Sequence, residues 1–234
     1  MQVRTTGPPA RKELDFMTEK AKKTNLVRIT ARTDEEMQAL IDAEQDETLR
    51  TAYTEMLQNC RSHPQKRLWY TCWRVTLVQG GQLVGNVGFL GEPNNAGEVE
   101  LGYGTLPGFC GNGYATEAVR RLTDWAFSQP DVFFVRAQAA QGNAASRRVL
   151  EKAGFEPAGT GREGLLFELE KPKPDNVSIY MSLGLAVGVA CGTALNNLTM
   201  GLSLGLAIGV AVGSMMDGED KKKRQAAKLR RQNR

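Results

Sequence analysis

The sequence predicts an α+β fold, with a mixed, mostly antiparallel sheet in residues 25–171 and a helical hairpin near the C-terminus. Strand-like runs at 68–78, 82–90 and 98–106 are separated by short turn signals, as in an antiparallel meander. A helical pattern and a buried apolar run follow, which is typical of a crossover between parallel strands. Beyond them, glycine recurs at every fourth position, a spacing that favours closely packed helices.

The first predicted elements are a strand and two helices. The run LVRITAR (26–32) alternates apolar and polar residues, as a half-buried strand does. Asp34 then begins a helix with apolar residues at helical spacing, and a second helix follows from about Asp46 to Cys60.

The elements after the meander complete the fold. A helix follows the glycine turn at 110–113 and ends before Pro130, which cannot continue it. The run VFFVRAQA (132–139) reads as a buried strand, and a last helix begins near Asn143 and ends at Gly154. Two closing strands give the order β-α-α-β-β-β-α-β-α-β-β.

The turn before the crossover helix predicts an anion site. It reads CGNGYATEA (110–118), with two glycines one residue apart directly before a helix. Glycine lets the backbone approach a ligand closely, and the first N–H groups of a helix lack partners within it. Together with the helix dipole they favour a phosphate group.

Charge is concentrated at the C-terminal end of the chain. The last fourteen residues, KKKRQAAKLRRQNR, contain eight Lys or Arg and no acidic residue, which leaves residues 1–220 with 22 basic and 26 acidic side chains. A nucleic-acid-binding domain is expected to be basic. We therefore predict no nucleic-acid partner, and a basic tail (217–234) with a separate role.

The composition also predicts no metal site and a reducing compartment. The four cysteines show no C-x-x-C spacing, and the sequence has one histidine. Residues 1–24 are polar and charged, without the apolar stretch of a signal peptide. We expect them to form a flexible leader of a cytoplasmic protein.

Residues 25–171 resemble the GNAT superfamily of acyl-CoA-dependent N-acetyltransferases, and within it the branch of ribosomal-protein acetyltransferases. The acyl-CoA signature of the family is Gln/Arg-x-x-Gly-x-Gly/Ala; the segment 108–113 matches both glycines but has Gly108 at the first position. LGYGTLPGFCGNGYATEAV (101–119) is similar to the pattern of the branch. Asn143-Ala-Ala-Ser146, followed by Lys152-Ala-Gly154-Phe155, provides a second match.

The resemblance implies acetyl-CoA as co-substrate, an amine as acceptor, no metal, and a set of cofactor-binding residues. The pyrophosphate would lie against the glycine turn, whose residues are Cys110, Gly111, Asn112, Gly113, Tyr114 and Ala115. The strand that ends at Leu106 would pair with the pantetheine arm and leave an outward N–H for the thioester carbonyl. Asn143 would bind the same arm, although an asparagine there also suits a helix N-cap.

The catalytic groups are less constrained by the resemblance. Many members have a tyrosine seven residues after the asparagine, where this sequence has Leu150, and Ser146 is then the natural donor to the departing thiolate. Ser146 could equally be a solvated residue of a first helical turn. Glu100 shares a strand face with Glu98 and is our candidate base, or else a simple exposed strand glutamate.

The C-terminal segment predicts a glycine-zipper helical hairpin at 178–216, joined by a linker (172–177). MSLGLAVGVACG (181–192) and LSLGLAIGVAVG (202–213) match at nine of twelve positions. A turn at Asn196-Asn197 keeps the flanking basic residues on one side of a bilayer, as the positive-inside rule prefers. The alternative is an oligomerisation element that packs through glycine without lipid contact.

These observations predict an N-acetyltransferase at the cytoplasmic face of a membrane, which transfers an acetyl group to a protein N-terminus or a small amine. One alternative is an acyl-CoA-binding sensor without catalysis. Another is a membrane or assembly protein whose function lies in the hairpin. A homo-oligomer through glycine packing is compatible with each.

Overall fold

A computed structural model of the protein describes residues 26–232, so the predicted leader (1–24) lies outside the described residues. The chain divides into two compact units between Lys171 and Pro172. Each unit is described by itself.

The N-terminal unit contains seven strands and five helices among the described residues. In chain order they are β1 (Val27–Ala31), α1 (Asp34–Ala43), α2 (Glu47–Ser62), a 3-10 turn (Pro64–Lys66), α3 (Arg67–Tyr70), β2 (Cys72–Leu77), β3 (Leu83–Phe89), β4 (Glu98–Thr105), α4 (Tyr114–Ser128), β5 (Phe134–Ala139), α5 (Ala144–Ala153), β6 (Glu156–Thr160) and β7 (Leu165–Glu170).

The strands form one sheet in the order β1-β2-β3-β4-β5-β7-β6. The pair β4 and β5 is parallel, and all other neighbouring strands are antiparallel. The parallel pair is connected through α4, so the predicted crossover and the predicted mixed, mostly antiparallel sheet are both confirmed. The C-terminal ends of β4 and β5 therefore lie at the same edge of the sheet, each followed by a helix.

One face of the sheet packs against α4 and α5 and forms the main core. Buried side chains from every layer meet there, including Ile29, Trp73, Val87, Val99, Leu101, Val119, Leu122, Val135, Leu150 and Phe167. A smaller cluster around Met37, Ile41 and Leu57 lies with α1 and α2. Burial of these side chains fixes which way each strand faces, because a shift of one residue would turn every side chain to the other face.

The run predicted as a strand at 68–78 begins instead with a helical turn. Residues Arg67–Tyr70 form α3, whose end is closed by a hydrogen bond from Thr71 N to Arg67 O (3.0 Å). The turn places the ring of Trp69 4.9 Å from that of Phe89 and 4.6 Å from that of Trp125. A short apolar run is compatible with a strand or a helix. Here the packing of Trp69 against the core favours the helical turn.

The C-terminal unit is a helical hairpin of α6 (Asn176–Ala194) and α7 (Leu198–Gln232). The connection lies at Asn196 and Asn197, as expected, and Asn196 adopts a left-handed backbone conformation (φ 52°). At the open end, Asn176 donates from its side chain to Asp217 Oδ1 (2.8 Å). The basic tail is not a separate segment in the structure, since α7 continues through it to Gln232.

The glycines of the two hairpin arms face each other. A Cβ atom built on Gly205 would collide with the backbone of Gly184 and Gly188, and one on Gly201 with that of Gly188 and Gly192. Large apolar side chains such as Leu183, Val187, Leu204 and Ile208 point outward and are exposed. The aligned glycines of the two arms therefore pack against each other within one chain. An oligomer would have to form through the outward apolar side chains.

Glu117 has a structural role and connects α4 to the edge of the sheet. Its carboxylate accepts a hydrogen bond from Leu26 N (3.2 Å) at the start of β1 and forms an ion pair with Arg121 (2.7 Å). The side chains of Glu117 and Arg121 are only 11% and 9% exposed. This pair therefore holds the helix that follows the glycine turn.

We predict that Glu117→Ala lowers the free energy of unfolding by about 3 kcal/mol, because it removes a buried carboxylate that pairs with Arg121 and accepts a hydrogen bond from Leu26 N. Urea unfolding would measure the change. The matched control is Glu47→Ala, which removes an exposed ion pair with Arg50 and should cost less than about 1 kcal/mol. Equal losses in the two variants would contradict the assigned role of Glu117.

Candidate active site

The strands β4 and β5 separate at their C-terminal ends and leave a gap in the sheet. Their parallel register runs from Glu98↔Phe134 to Leu101↔Ala137. Beyond it, residues 102–105 pair with β3, while Gln138 and Ala139 pair with β7. A crevice at the C-terminal ends of parallel strands is where α/β sheets commonly bind ligands.

Main-chain groups of β4 line this gap. Leu106 N donates to Val84 O (2.9 Å) and Glu100 O accepts from Leu90 N (2.9 Å), so the even-numbered residues of β4 direct their polar groups toward β3. By alternation, Tyr103 and Thr105 direct theirs toward the gap. Leu106 was predicted to end the strand that offers an outward N–H; its own N–H is used within the sheet, and the outward groups belong to Tyr103 and Thr105.

The glycine turn and the start of α4 lie after β4, at the same edge. Gly113 is the N-cap of α4, and no side chain caps this helix end. Gly111 (φ 85°) and Gly113 (φ 82°) both have left-handed backbone conformations, which other residues adopt only with strain. The first N–H groups of α4, at Tyr114 and Ala115, therefore remain without a cap and suit an anion.

The start of α5, which follows β5, differs from that of α4. Asn143 Oδ1 accepts a hydrogen bond from Ser146 N (2.9 Å) and so caps the helix. Asn143 therefore acts as the N-cap of α5 through its amide oxygen. Of the two helix ends at this edge of the sheet, the start of α4 is the uncapped one.

Glu100 lies on the face of the sheet opposite the main core. It is half-buried and accepts a hydrogen bond from Gln138 Nε2 (2.6 Å), and Gln138 Oε1 in turn accepts from Glu163 N (2.9 Å). Its neighbour Glu98 is buried and forms an ion pair with Arg136 (2.8 Å). Glu98 is therefore part of the structure of the sheet, whereas the Glu100 carboxylate is held in place by a neutral amide.

Ser146 lies on the core side, next to a tyrosine that the sequence analysis missed. The Tyr103 hydroxyl is 2.7 Å from Ser146 Oγ and 3.0 Å from Ser146 O. Burial raises the pKa of Tyr103, and the hydrogen bond with Ser146 partly offsets this. The hydroxyl therefore keeps its proton at neutral pH.

The structure thus brings the two predicted catalytic residues to opposite faces of the sheet beside one gap. Gln138 and Tyr103 are the residues that sequence reasoning missed. Strand alternation could have placed Tyr103 opposite Glu100, but its contact with Ser146 depends on how α5 packs on β4. Leu150 is fully buried in the core, so it offers no group to the gap.

No group of three or more His, Cys, Asp or Glu side chains within residues 26–232 is arranged to hold a metal ion. The polar groups at the gap include main-chain amides, the Glu100 carboxylate with the Gln138 amide beside it, and two hydroxyls. This set of groups suits a phosphate-bearing ligand and proton transfer.

Comparison with known proteins decides the family. The profile of the family described as Acetyltransferase (GNAT) domain matches residues 16–156, more than half of the 234 residues. The chain belongs to the GNAT acetyltransferase family. This assignment confirms the resemblance drawn from the glycine turn. A second profile, Glycine zipper membrane protein, matches residues 170–217.

Individual relatives agree with this GNAT assignment. The uncharacterised N-acetyltransferase YjdG of Bacillus subtilis (strain 168) is 34% identical over 86 residues, which are 37% of this chain and 51% of the relative. YdaF of the same organism, a candidate ribosomal N-acetyltransferase, is 35% identical over 89 residues, covering 38% and 49%. The chain thus spans about half the length of these curated relatives.

The GNAT fold is also found in solved structures. The spermidine N-acetyltransferase of Vibrio cholerae, in complex with CoA and spermine, superimposes with a TM-score of 0.50 at 15% identity. The match covers 63% of this chain and 97% of that protein. At this identity the likeness shows the fold.

Proposed function

We propose that the protein is an N-acetyltransferase that moves an acetyl group from acetyl-CoA to a primary amine by direct attack. The uncapped start of α4, with its glycine turn beside the β4–β5 gap, is the observation that carries the proposal. The amides of residues 110–115 bind the pyrophosphate, and their charge-assisted hydrogen bonds fix the donor in the gap.

In the proposed complex, the pantetheine arm continues the sheet where β4 loses its partner. The outward groups of Tyr103 and Thr105 pair with its amides, and one of their N–H groups polarises the thioester carbonyl. Asn143 uses its amide oxygen as a helix cap, and its amide nitrogen donates to the arm.

Glu100 accepts the proton of the attacking amine in this proposal. An amine arrives protonated near neutral pH, so a carboxylate beside the thioester is needed before attack. On the same face, Glu98 and Glu168 both pair with Arg136. Together with Glu100 they give three carboxylates and one guanidinium, a net negative charge that favours a cationic acceptor. A polyamine, an aminoglycoside or a protein N-terminus would each satisfy this chemistry.

We predict that acetyl-CoA binds the detergent-solubilised full chain in isothermal titration, and that Gly111→Glu weakens binding by about 100-fold or more. The added carboxylate repels the pyrophosphate, and the left-handed position is strained by any side chain. Gly80→Glu is the matched control, since Gly80 has φ 83° in the β2–β3 turn. No binding to the folded wild type would refute the enzyme proposal.

Glu100→Gln should lower kcat by about 100-fold or more at neutral pH while leaving acetyl-CoA binding intact. Release of the CoA thiol with a panel of polyamine, aminoglycoside and peptide acceptors would measure it. The loss should shrink at higher pH, where the amine is already deprotonated. Glu156→Gln, an exposed glutamate of β6, is the control. Binding without turnover of any acceptor would instead favour the sensor alternative.

We further propose that the hairpin inserts into a membrane and anchors the enzyme at its cytoplasmic face. Both helices are long and apolar enough to cross a bilayer, and α6, with 19 residues, is about 28 Å long, close to the hydrocarbon thickness of about 30 Å. The outward side chains of the hairpin are large and apolar. Asp217, Glu219 and the basic end of α7 begin where the apolar segment stops.

The reconstituted full chain should float with phospholipid vesicles and resist extraction at high salt. Leu185→Arg combined with Leu206→Arg places two charges on outward positions near the middle of the hairpin, at a cost of about 2.5 kcal/mol each, and should reduce flotation. Leu229→Arg, on the exposed basic end of α7, should not. A wild type that stays off vesicles and sediments as an oligomer would contradict the membrane anchor and favour assembly through the outward apolar side chains.

A further inference from the structure

Tyr103 lies beside the proposed thioester site. The proposed reaction uses its main-chain groups but gives no role to its hydroxyl. Its ring packs at the edge of the main core, and its hydroxyl reaches across to the first turn of α5. We propose that Tyr103 is a positioning residue that turns the Ser146 hydroxyl proton toward the sulfur of coenzyme A. This inference rests on the proposed acetyl-CoA site.

The hydrogen count at the contact permits two arrangements. The Tyr103 hydroxyl has one proton and two acceptors within reach, Ser146 O at 3.0 Å and Ser146 Oγ at 2.7 Å. If it donates to the carbonyl, the Ser146 hydroxyl donates back to Tyr103 Oη. If it donates to Ser146 Oγ, the serine proton is directed away from Tyr103 and is available to an acceptor in the gap.

A thiolate in the gap selects the second arrangement. When the C–S bond of the thioester breaks, the electron pair stays on sulfur, and a hydrogen bond from Ser146 Oγ–H stabilises the negative charge. The proton lost by the amine passes to Glu100 and then to solvent, and the thiolate gains a proton from solvent as coenzyme A leaves. Ser146 and Tyr103 each keep one proton, so the step is balanced.

The burial of Tyr103 fits this role. Burial raises the pKa of Tyr103 by disfavouring the phenolate, so the hydroxyl remains a donor at neutral pH. The cap from Asn143 to Ser146 N fixes the main chain of the same residue. The Asn143 cap and the Tyr103 hydroxyl therefore both fix the position of Ser146. The direction of the Ser146 hydroxyl proton is what remains to be set.

The acidity of the bound thiol tests the inference without an acceptor amine. Coenzyme A is bound to the full chain in detergent, and thiolate formation is followed by ultraviolet absorbance across pH, against the complex with desulfo-coenzyme A. In the wild type, the acid dissociation constant of the bound thiol should be about tenfold higher than in Tyr103→Phe or Ser146→Ala. The double variant should match Ser146→Ala, because Tyr103 acts only through Ser146.

The outcomes separate this inference from the proposed function. Failure to bind coenzyme A overturns both. Binding with the same thiol acidity in wild type and Tyr103→Phe overturns the inference alone. A further loss on adding Tyr103→Phe to Ser146→Ala also overturns it, because Tyr103 would then act without the serine. Tyr70→Phe is the control, as Tyr70 is another half-buried tyrosine, next to Glu92 and before β2.

A second measurement does not depend on the stability of Tyr103→Phe. Incorporation of 3-fluorotyrosine keeps every hydroxyl and makes it more acidic, which strengthens its donation to Ser146. The bound thiol should then become more acidic in the wild type and remain unchanged in Ser146→Ala. An unchanged thiol in both proteins would overturn the inference. With an active acceptor, Tyr103→Phe should also lower kcat and leave KM for acetyl-CoA unchanged.

Discussion

The candidate site depends on the short parallel pairing between β4 and β5. Four register pairs hold the two strands together, and after Leu101↔Ala137 each strand continues with a different neighbour. Beyond this point the outward main-chain groups of β4 have no neighbouring strand, so the separation leaves a row of donors and acceptors that suits an amide-containing ligand. The same separation brings two helix starts to one edge and gives access to both faces of β4. The proposed proton acceptance at Glu100 and the proposed leaving-group stabilisation at Ser146 would then occur on opposite faces of the sheet.

The C-terminal unit is governed by a different constraint, the approach of two helix backbones. Glycine weakens a helix in water by about 1 kcal/mol per residue relative to alanine. Here it allows the carbonyl groups of one arm to lie against the Cα atoms of the other, as at Gly188 and Gly201. Such packing gains dispersion energy without side chains, and it turns all large apolar groups outward. In lipid, where internal backbone hydrogen bonds are retained, the cost of glycine is smaller and the outward face is an advantage.

The fold could be predicted from the sequence largely because its signals are local. Glycine, proline and alternating strands mark the elements, and the glycine turn marks the start of α4, where the phosphate site is proposed. The site could be predicted only in part. Alternation separates Glu100 from Tyr103, but which β4 groups face the gap depends on hydrogen bonds such as Leu106 N to Val84 O, a contact between strands. Likewise, Gln138 acquires its role from a contact with Glu100 on a neighbouring strand. The helical turn at Trp69 was missed because tertiary packing outweighed a strand-like pattern.

The matching arms of the hairpin suggest how such an element can arise. A helix with glycine on one face is complementary to a second copy of itself, because the close approach requires the same small residue on both sides. The matching segments begin at Met181 and Leu202, so tandem duplication of a 21-residue unit would deliver a fitting partner in one genetic event, and the two arms still match at nine of twelve positions. Later substitutions would be accepted on the outward positions, where any bulky apolar residue suffices, and rejected where the helices touch. The hairpin can thus diverge in sequence on its outside while its inner geometry stays fixed.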